Sequence, residues 1–267
     1  MVNMQKTIIT LMSDFGLRDP YVAEMKAVLL GICPEATIVD ISHEIEKFNI
    51  RMGAYVLACA APYFPKGTIH VAIVDPSVGT KRKPILIRAK GACFVGPDNG
   101  VLTLAAKKSG VRCIYEIASQ KITPPRISQT FHGRDVFAPV AARLANGTQP
   151  KELGSRISKM AMPDFGRIAR KKNMTVGEVS YIDDFGNIVT NFERRELEGM
   201  VTARMIDIRV ADSKLKLKLC KTYADVEEYW PLALVGSHGF LEISVNQGNA
   251  AEQLKAKEGD KAILYRS

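Results

Sequence analysis

The residues of this chain best suited to chemistry are carboxylates that follow apolar runs. Ile69 to Val74 is apolar and reads as a buried strand. The segment after it, Asp75-Pro76-Ser77-Val78-Gly79, carries the proline and glycine of a sharp loop, and Arg82 follows seven residues after Asp75. Open α/β sheets bind ligands at the carboxyl ends of their strands. A paired Asp75 and Arg82 there is a candidate for chemistry, the plainer alternative being an aspartate that caps its own turn. Asp14, in Ser13-Asp14-Phe15-Gly16, and Asp98, in Gly96-Pro97-Asp98-Asn99-Gly100, stand at comparable strand ends. Phosphate sites favour amides and cations, whereas carboxylates suit ribose hydroxyls or a cationic ligand. His132, in Phe131-His132-Gly133-Arg134-Asp135, precedes a predicted helix from Asp135 to Leu144. A helix N-terminus disfavours an imidazolium. His132 is thereby either a neutral proton acceptor or a simple cap.

These side chains need elements to hold them. Thr7 to Met12 reads as a first strand, and Asp19 as the N-cap of a helix with Pro20 at its first position, running from Tyr21 to Leu30 and closed by Gly31. Ala36 to Ile41 is a second strand and Arg51 to Ala61 a buried helix stopped by Pro62 and Pro65. After the central strand at 69–74 come strands at 84–88 and 93–95, a short helix at 101–108 and a strand at 112–117. This alternation predicts an α/β fold with a mostly parallel sheet flanked by helices. Neither a dinucleotide fingerprint nor a P-loop is present.

Residues 148–173 change character, with prolines, Gly154, Gly166 and the cationic run Arg170-Lys171-Lys172. The expected organisation is an N-terminal α/β domain over 1–160, a connector over 161–173 and a smaller C-terminal antiparallel β-barrel over 174–267. In the last region seven short strands are predicted, at 175–182, 187–192, 203–210, 214–219, 232–235, 240–245 and 262–265. The strict alternation Lys214-Leu215-Lys216-Leu217-Lys218-Leu219 gives its strand one wet face. Three turns there, at 183–187, 236–239 and 246–250, each read singly as structural.

The chain has 267 residues, 46% hydrophobic and 24% charged, with a net charge of +9. No apolar run is long enough to span a bilayer, and residues 1–10 lack the apolar core of a signal peptide. The five cysteines are scattered without a Cys-x-x-Cys pair and read as reduced thiols of a cytoplasmic protein. The lysines and arginines are dispersed and the chain has one tryptophan, so binding of single-stranded nucleic acid through the barrel is a minor alternative.

Five motifs carry a resemblance: Ser13 to Gly16, Val74 to Gly79, Phe131 to Asp135, Asp184 to Asn187 and Ser237 to Asn246. In this order they resemble the adenosine-forming S-adenosyl-L-methionine (SAM) hydrolases, or SAM hydroxide adenosyltransferases, relatives of the fluorinases and chlorinases. The likeness covers about residues 6–265. It implies hydrolysis of SAM to adenosine and methionine without a cofactor or metal, and a homotrimer with sites at subunit interfaces. By this resemblance, the Asp, Arg and His around the nucleophilic water fall on Asp75, Arg82 and His132. The ribose-binding aspartate falls on Asp14. The methionine ammonium falls to Asp183 and Asn187, its carboxylate to Ser237, the adenine face to Tyr223 and the adenine edge to the strand with Glu242 and Val245. The halogenating relatives have a tyrosine and a serine at His132 and Gly133, a tyrosine at Asp75, an arginine at His238 and an inserted loop, so hydrolysis is favoured over halide transfer. A non-catalytic SAM or adenosine binder is the other alternative. Between Asp75 and His132, the proton acceptor stays open.

Overall fold

The structure, a computed structural model, describes residues 6–118, 128–202 and 204–266. Residues 1–5, read above for a signal peptide, and Ala203, read as a strand start, lie outside them. The chain divides into two compact units, Met1–Pro163 and Asp164–Ser267. No described helix is long and apolar enough to cross a membrane.

The first unit is built on a seven-stranded sheet. Its strands are β1 (Ile8–Ser13), β2 (Thr37–Ser42), β3 (Thr68–Ile73), β4 (Pro84–Ala89), β5 (Ala92–Pro97), β6 (Val111–Ile117) and β7 (Gly154–Ile157), in the order β2-β1-β3-β5-β4-β6-β7. The half that matters to the site, β2-β1-β3-β5, is parallel. The pairings β5–β4, β4–β6 and β6–β7 are antiparallel, so the sheet is mixed. The turn at Gly91, in the left-handed region at φ 84°, sends β5 back alongside β4, an arrangement no parallel crossover could make in so few residues.

Helices α1 (Tyr21–Ile32), α2 (Ile50–Ala60), α3 (Thr103–Ser109) and α4 (Ala138–Ala145) belong to this unit. Strand β3 is buried on both faces. Its Ile69, Val71 and Ile73 join Met25, Leu29 and Val140 of α1 and α4 in one core. Ala72 and Val74 join Leu57 and Ala105 of α2 and α3 in another. The period of two along the strand sorts these residues to opposite faces, which explains why β3 reads as a continuous apolar run.

Two helix ends differ from expectation. Pro20, not Asp19, is the N-cap of α1, and no side chain caps it. The Pro20 carbonyl accepts the first helical bond, from Glu24 at 2.9 Å, so the helix starts one residue later and leaves the Asp19 side chain free of the cap. At the other end α1 passes through Gly31 to Ile32, because Cys33 N–H still reaches the Leu29 carbonyl at 2.8 Å.

The second unit is a closed barrel of β9 (Met174–Ile182), β10 (Ile188–Glu193), β12 (Met205–Val210), β13 (Ser213–Cys220), β14 (Pro231–Val235), β15 (Phe240–Val245) and β16 (Lys261–Tyr265). Short strands β8 (Ala169–Lys171) and β11 (Val201–Thr202) pair beside it, on β9 and β12. Seven strands cannot alternate direction all the way round a closed ring, so one neighbouring pair must run parallel. That pair is β13–β14, with Leu219 opposite Ala233 and Cys220 opposite Leu234. The alternation in β13 is realised: Lys214, Lys216 and Lys218 are exposed and Leu217 is buried in the barrel core.

Candidate active site

Register brings the acidic loops of the first unit together. Ser13 of β1 is paired with Ile73 of β3, and both strands end at this level. Asp14 and Asp75 therefore leave the sheet on the same carboxyl edge, where they line one cavity of about 210 Å³ with His132. Asp98 leaves the same edge, but its Oδ1 accepts the Ala161 N–H at 2.6 Å, which commits it to holding the chain near Pro163.

Arg82 lies behind Asp75, and both side chains are about nineteen-twentieths buried. Its Nε donates to Asp75 Oδ1 at 3.0 Å and Oδ2 at 2.9 Å, and its Nη2 to Oδ2 at 2.5 Å. The loop between them is fixed by its own bonds. Val78 N–H reaches the Asp75 carbonyl, and Gly79 adopts φ 77° where an added Cβ would meet the Gln129 carbonyl oxygen at 2.6 Å. The Arg82 guanidinium also stands over the Phe137 ring, 5.4 Å from its centroid.

The same Nη2 lies 2.8 Å from His132 Nδ1. A guanidinium can only donate, so Nδ1 must be the acceptor. The neutral ring then carries its proton on Nε2. Burial, with the Arg82 cation adding to it, pushes the His132 pKa below the ordinary histidine value, while Asp75 and Asp135 oppose the shift. His132 is the residue preceding a π-helical turn, Gly133–Phe137, that runs into α4. It makes no side-chain cap there, so the capping alternative does not describe it.

Asp14 is buried. Its Oδ2 accepts the Phe48 N–H at 3.0 Å and its carbonyl accepts from Lys47 Nζ. Aromatic rings wall the cavity. Phe15, Tyr21 and Phe131 form an edge-on trio with centroids 5.2 to 5.8 Å apart. Phe48, largely exposed, adopts φ 66°. Lys47, Phe48 and Tyr21 escape a reading of motifs, because none of them lies in the five motifs and Tyr21 reads simply as the start of a helix. The one available signal for Phe48 is its place just before Asn49, the N-cap of α2.

In the second unit, Asp183, Asn187, Tyr223 and Val245 line a separate cavity of about 780 Å³ with Phe185 and residues 246–249. Asp183 Oδ1 accepts the N–H groups of Phe185 and Asn187, and Asn187 Nδ2 donates to Asp183 Oδ2 at 2.8 Å. Glu242 is not on the cavity wall; its buried Oε1 accepts the Tyr223 hydroxyl and the Ser244 hydroxyl, both at 2.8 Å. Burial and the Glu242 carboxylate push the Tyr223 phenol well above its ordinary value, so it stays a donor. Ser237 sits in the 236–239 turn between β14 and β15 and does not line this cavity. Among the described residues, no group of three or more His, Cys, Asp or Glu is arranged to hold a metal ion.

The chain thus joins an α/β sheet, with a carboxylate–guanidinium–imidazole cluster at its carboxyl edge, to a seven-stranded barrel. The profile of the SAM hydroxide adenosyltransferase N-terminal domain matches residues 9–154, and that of the C-terminal domain residues 177–263. The chain belongs to this SAM hydroxide adenosyltransferase family. It is 41% identical to an (R)-S-adenosyl-L-methionine hydrolase of Methanocaldococcus jannaschii, over 97% of this chain and 96% of that one. It is 28% identical to a fluorinase of Actinopolyspora mzabensis over 98% of each. A crystal structure of an uncharacterized conserved protein from Thermotoga maritima superposes with a TM-score of 0.90 at 39% identity, covering 97% of this chain and all of that one.

Proposed function

We propose that this protein hydrolyses S-adenosyl-L-methionine to adenosine and L-methionine, and that Asp75, Arg82 and His132 prepare the attacking water. The observation that carries the reading is the hydrogen-bonded Asp75–Arg82–His132 cluster, whose Asp75 and His132 line one cavity with Asp14. In the reaction a water oxygen forms a bond to ribose C5′ as the C5′–sulfur bond breaks. The electron pair of that bond returns to the sulfonium, and methionine leaves as a neutral thioether. The leaving group needs neither acid nor Lewis acid, so the work falls on the water, whose pKa in bulk is about 15.7.

His132 is a poor acceptor for that proton. Its Nδ1 lone pair faces the Arg82 cation and its Nε2 already carries hydrogen. We assign it the role of an N–H donor that orients the water, and assign proton acceptance to Asp75, whose carboxylate has lone pairs beyond those used by Arg82. Asp14 takes the ribose hydroxyls and so aligns C5′ with water and sulfur.

The barrel residues take the rest of the substrate: Asp183 and Asn187 the ammonium, Ser237 the carboxylate, Tyr223 the adenine face, and the β15 strand of Glu242 and Val245 the adenine edge. We further propose a homotrimer in which the N-terminal unit of one protomer and the barrel of the next form each site. Five free cysteines, three of them buried, suit a reducing compartment, and we place the protein in the cytoplasm. The test is incubation of pure protein with SAM. Adenosine and methionine should form in equal amounts, undiminished by a chelator; S-adenosylhomocysteine as product would mean methyl transfer and defeat the proposal.

A further inference from the structure

Beneath Asp14 lies an array of polar groups that the proposed reaction leaves unused. Ser13 Oγ is 2.7 Å from His43 Nδ1. His43 Nε2 is 3.2 Å from Asp40 Oδ1, off the line of a good hydrogen bond, and Lys26 Nζ holds Asp40 Oδ2 at 2.5 Å. In composition this is the Ser-His-Asp set of hydrolytic enzymes. It cannot act as one, because Ser13 is fully buried and no substrate can reach its hydroxyl.

What the array does touch is the loop that presents Asp14. Ser13 Oγ accepts the Phe15 N–H at 3.3 Å, and the His43 carbonyl accepts the Gly16 N–H at 2.7 Å. Together with the Phe48 and Lys47 bonds to Asp14, the segment from Asp40 to Phe48 grips this loop on both sides of the carboxylate. The tautomer of His43 follows from its neighbours. A lone pair on Nε2 would face the Asp40 carboxylate, so Nε2 carries the proton and Nδ1 accepts from the Ser13 hydroxyl. That leaves the Ser13 oxygen free to accept from Phe15. The chain of bonds has one direction, and that direction fixes the rotamer of Ser13 next to Asp14.

We infer that Ser13 and His43 are positioning residues that hold the Asp14 carboxylate at the angle needed for the ribose hydroxyls. This rests on the reading of Asp14 as the ribose site. An apolar pair would fill the same space without imposing a direction, and a buried polar group left unsatisfied costs free energy. The function of the array is therefore alignment rather than cohesion.

The experiment compares wild type, Ser13→Ala, His43→Asn and His43→Ala, each with and without Asp14→Ala. Adenosine and methionine affinities are measured by calorimetry, SAM turnover by kcat and KM, and folding by thermal midpoint. His43→Asn keeps an acceptor near the Nδ1 position. Ser13→Ala and His43→Ala should weaken adenosine binding on the order of tenfold and raise KM for SAM in step, leave methionine affinity unchanged, and add little in the Asp14→Ala background. His43→Asn should restore most of the loss. A folded Ser13→Ala that binds adenosine like wild type, or losses that add fully to Asp14→Ala, would overturn the inference. If His43→Ala does not fold, Ser13→Ala and His43→Asn still decide it. Wild type that neither binds adenosine nor consumes SAM removes the proposed function itself, and this inference with it.

Discussion

Replacing His132 by alanine should cost far less rate than neutralising Asp75. The Arg82 Nη2 to His132 Nδ1 contact at 2.8 Å makes His132 an acceptor at one nitrogen and a donor at the other. Its removal takes away one hydrogen bond to the water. A neutral hydrogen bond is worth about 0.5–1.5 kcal/mol, and each 1.36 kcal/mol is tenfold in rate, so His132→Ala should slow the chemical step roughly tenfold. Asp75→Asn removes the proton acceptor, an effect of about 10²- to 10⁴-fold, and leaves the buried Arg82 cation without its carboxylate. The double variant should be little worse than Asp75→Asn, since both act in one step. The assay is single-turnover adenosine formation at saturating SAM, with affinity measured separately. The pH profile is a second readout. Burial holds the His132 pKa below the usual value, and the Arg82 cation adds to it, since protonating Nδ1 would put an N–H and a positive charge against the guanidinium. The working neutral ring therefore persists to lower pH than that of an ordinary histidine, and the acid side of the rate profile should differ between wild type and His132→Ala. If His132→Ala loses a thousandfold while Asp75→Asn stays within tenfold of wild type, histidine is the base and the tautomer argument is wrong.

Three further outcomes are expected. Mixing Asp75→Ala with Asn187→Ala protomers should restore part of the activity after subunit exchange; none in demonstrably mixed oligomers would mean each site is built within one chain. Phe48 holds a left-handed φ of 66° with a largely exposed ring, so Phe48→Gly should relieve on the order of 1 kcal/mol of strain and raise the thermal midpoint by about 2–4 °C while KM for SAM rises; a lowered midpoint would show that the ring is held by packing. His70 is buried against Phe94, with Thr10 Oγ1 at 2.8 Å, and burial lowers its pKa to about 4; the unfolded chain binds that proton more tightly, so His70 should supply stability above pH 6.5 that is lost toward pH 4, by up to about 1.4 kcal/mol per pH unit, and His70→Gln should flatten the difference between urea midpoints at pH 7 and pH 5.

The fold was legible where a strand had to be buried on both faces or on one. Ile69 to Val74 could be read because both faces of β3 meet helices, and Lys214 to Leu219 because one face of β13 meets water. All seven barrel strands carry such a signal. Direction carries none: the antiparallel return of β4 beside β5 and the single parallel contact β13–β14 depend on which strand lies next to which, and side-chain alternation is the same in either sense. The same holds for β7 and β8, short edge strands without an apolar face, which lie in the stretch whose composition suggests only connection.

The site divides along a similar line. Residue types at strand ends marked Asp14, Asp75, Arg82 and His132 as candidates, but each alone could equally cap a turn or a helix, as Asp98 in a similar loop is spent on the Ala161 N–H; it was the five motifs in order that singled them out. Their chemistry depended on something no residue type states, namely which nitrogen of His132 faces Arg82. Before the fold is known, a histidine ahead of a helix is either a base or a cap. The missing side-chain cap removes the second role, and the 2.8 Å contact to a group that can only donate is what argues against the first. His43 shows the converse. It follows the second strand with no motif around it, yet its Nδ1 meets the hydroxyl of Ser13, the residue just before Asp14 in the first motif. The parallel register of β1 and β2, which sets Met12 opposite Ser42, carries His43 to the back of that loop. Motifs marked the groups proposed to touch substrate, whereas sheet register brought them together and placed the groups proposed to aim them; that placement becomes readable only once the strands are paired.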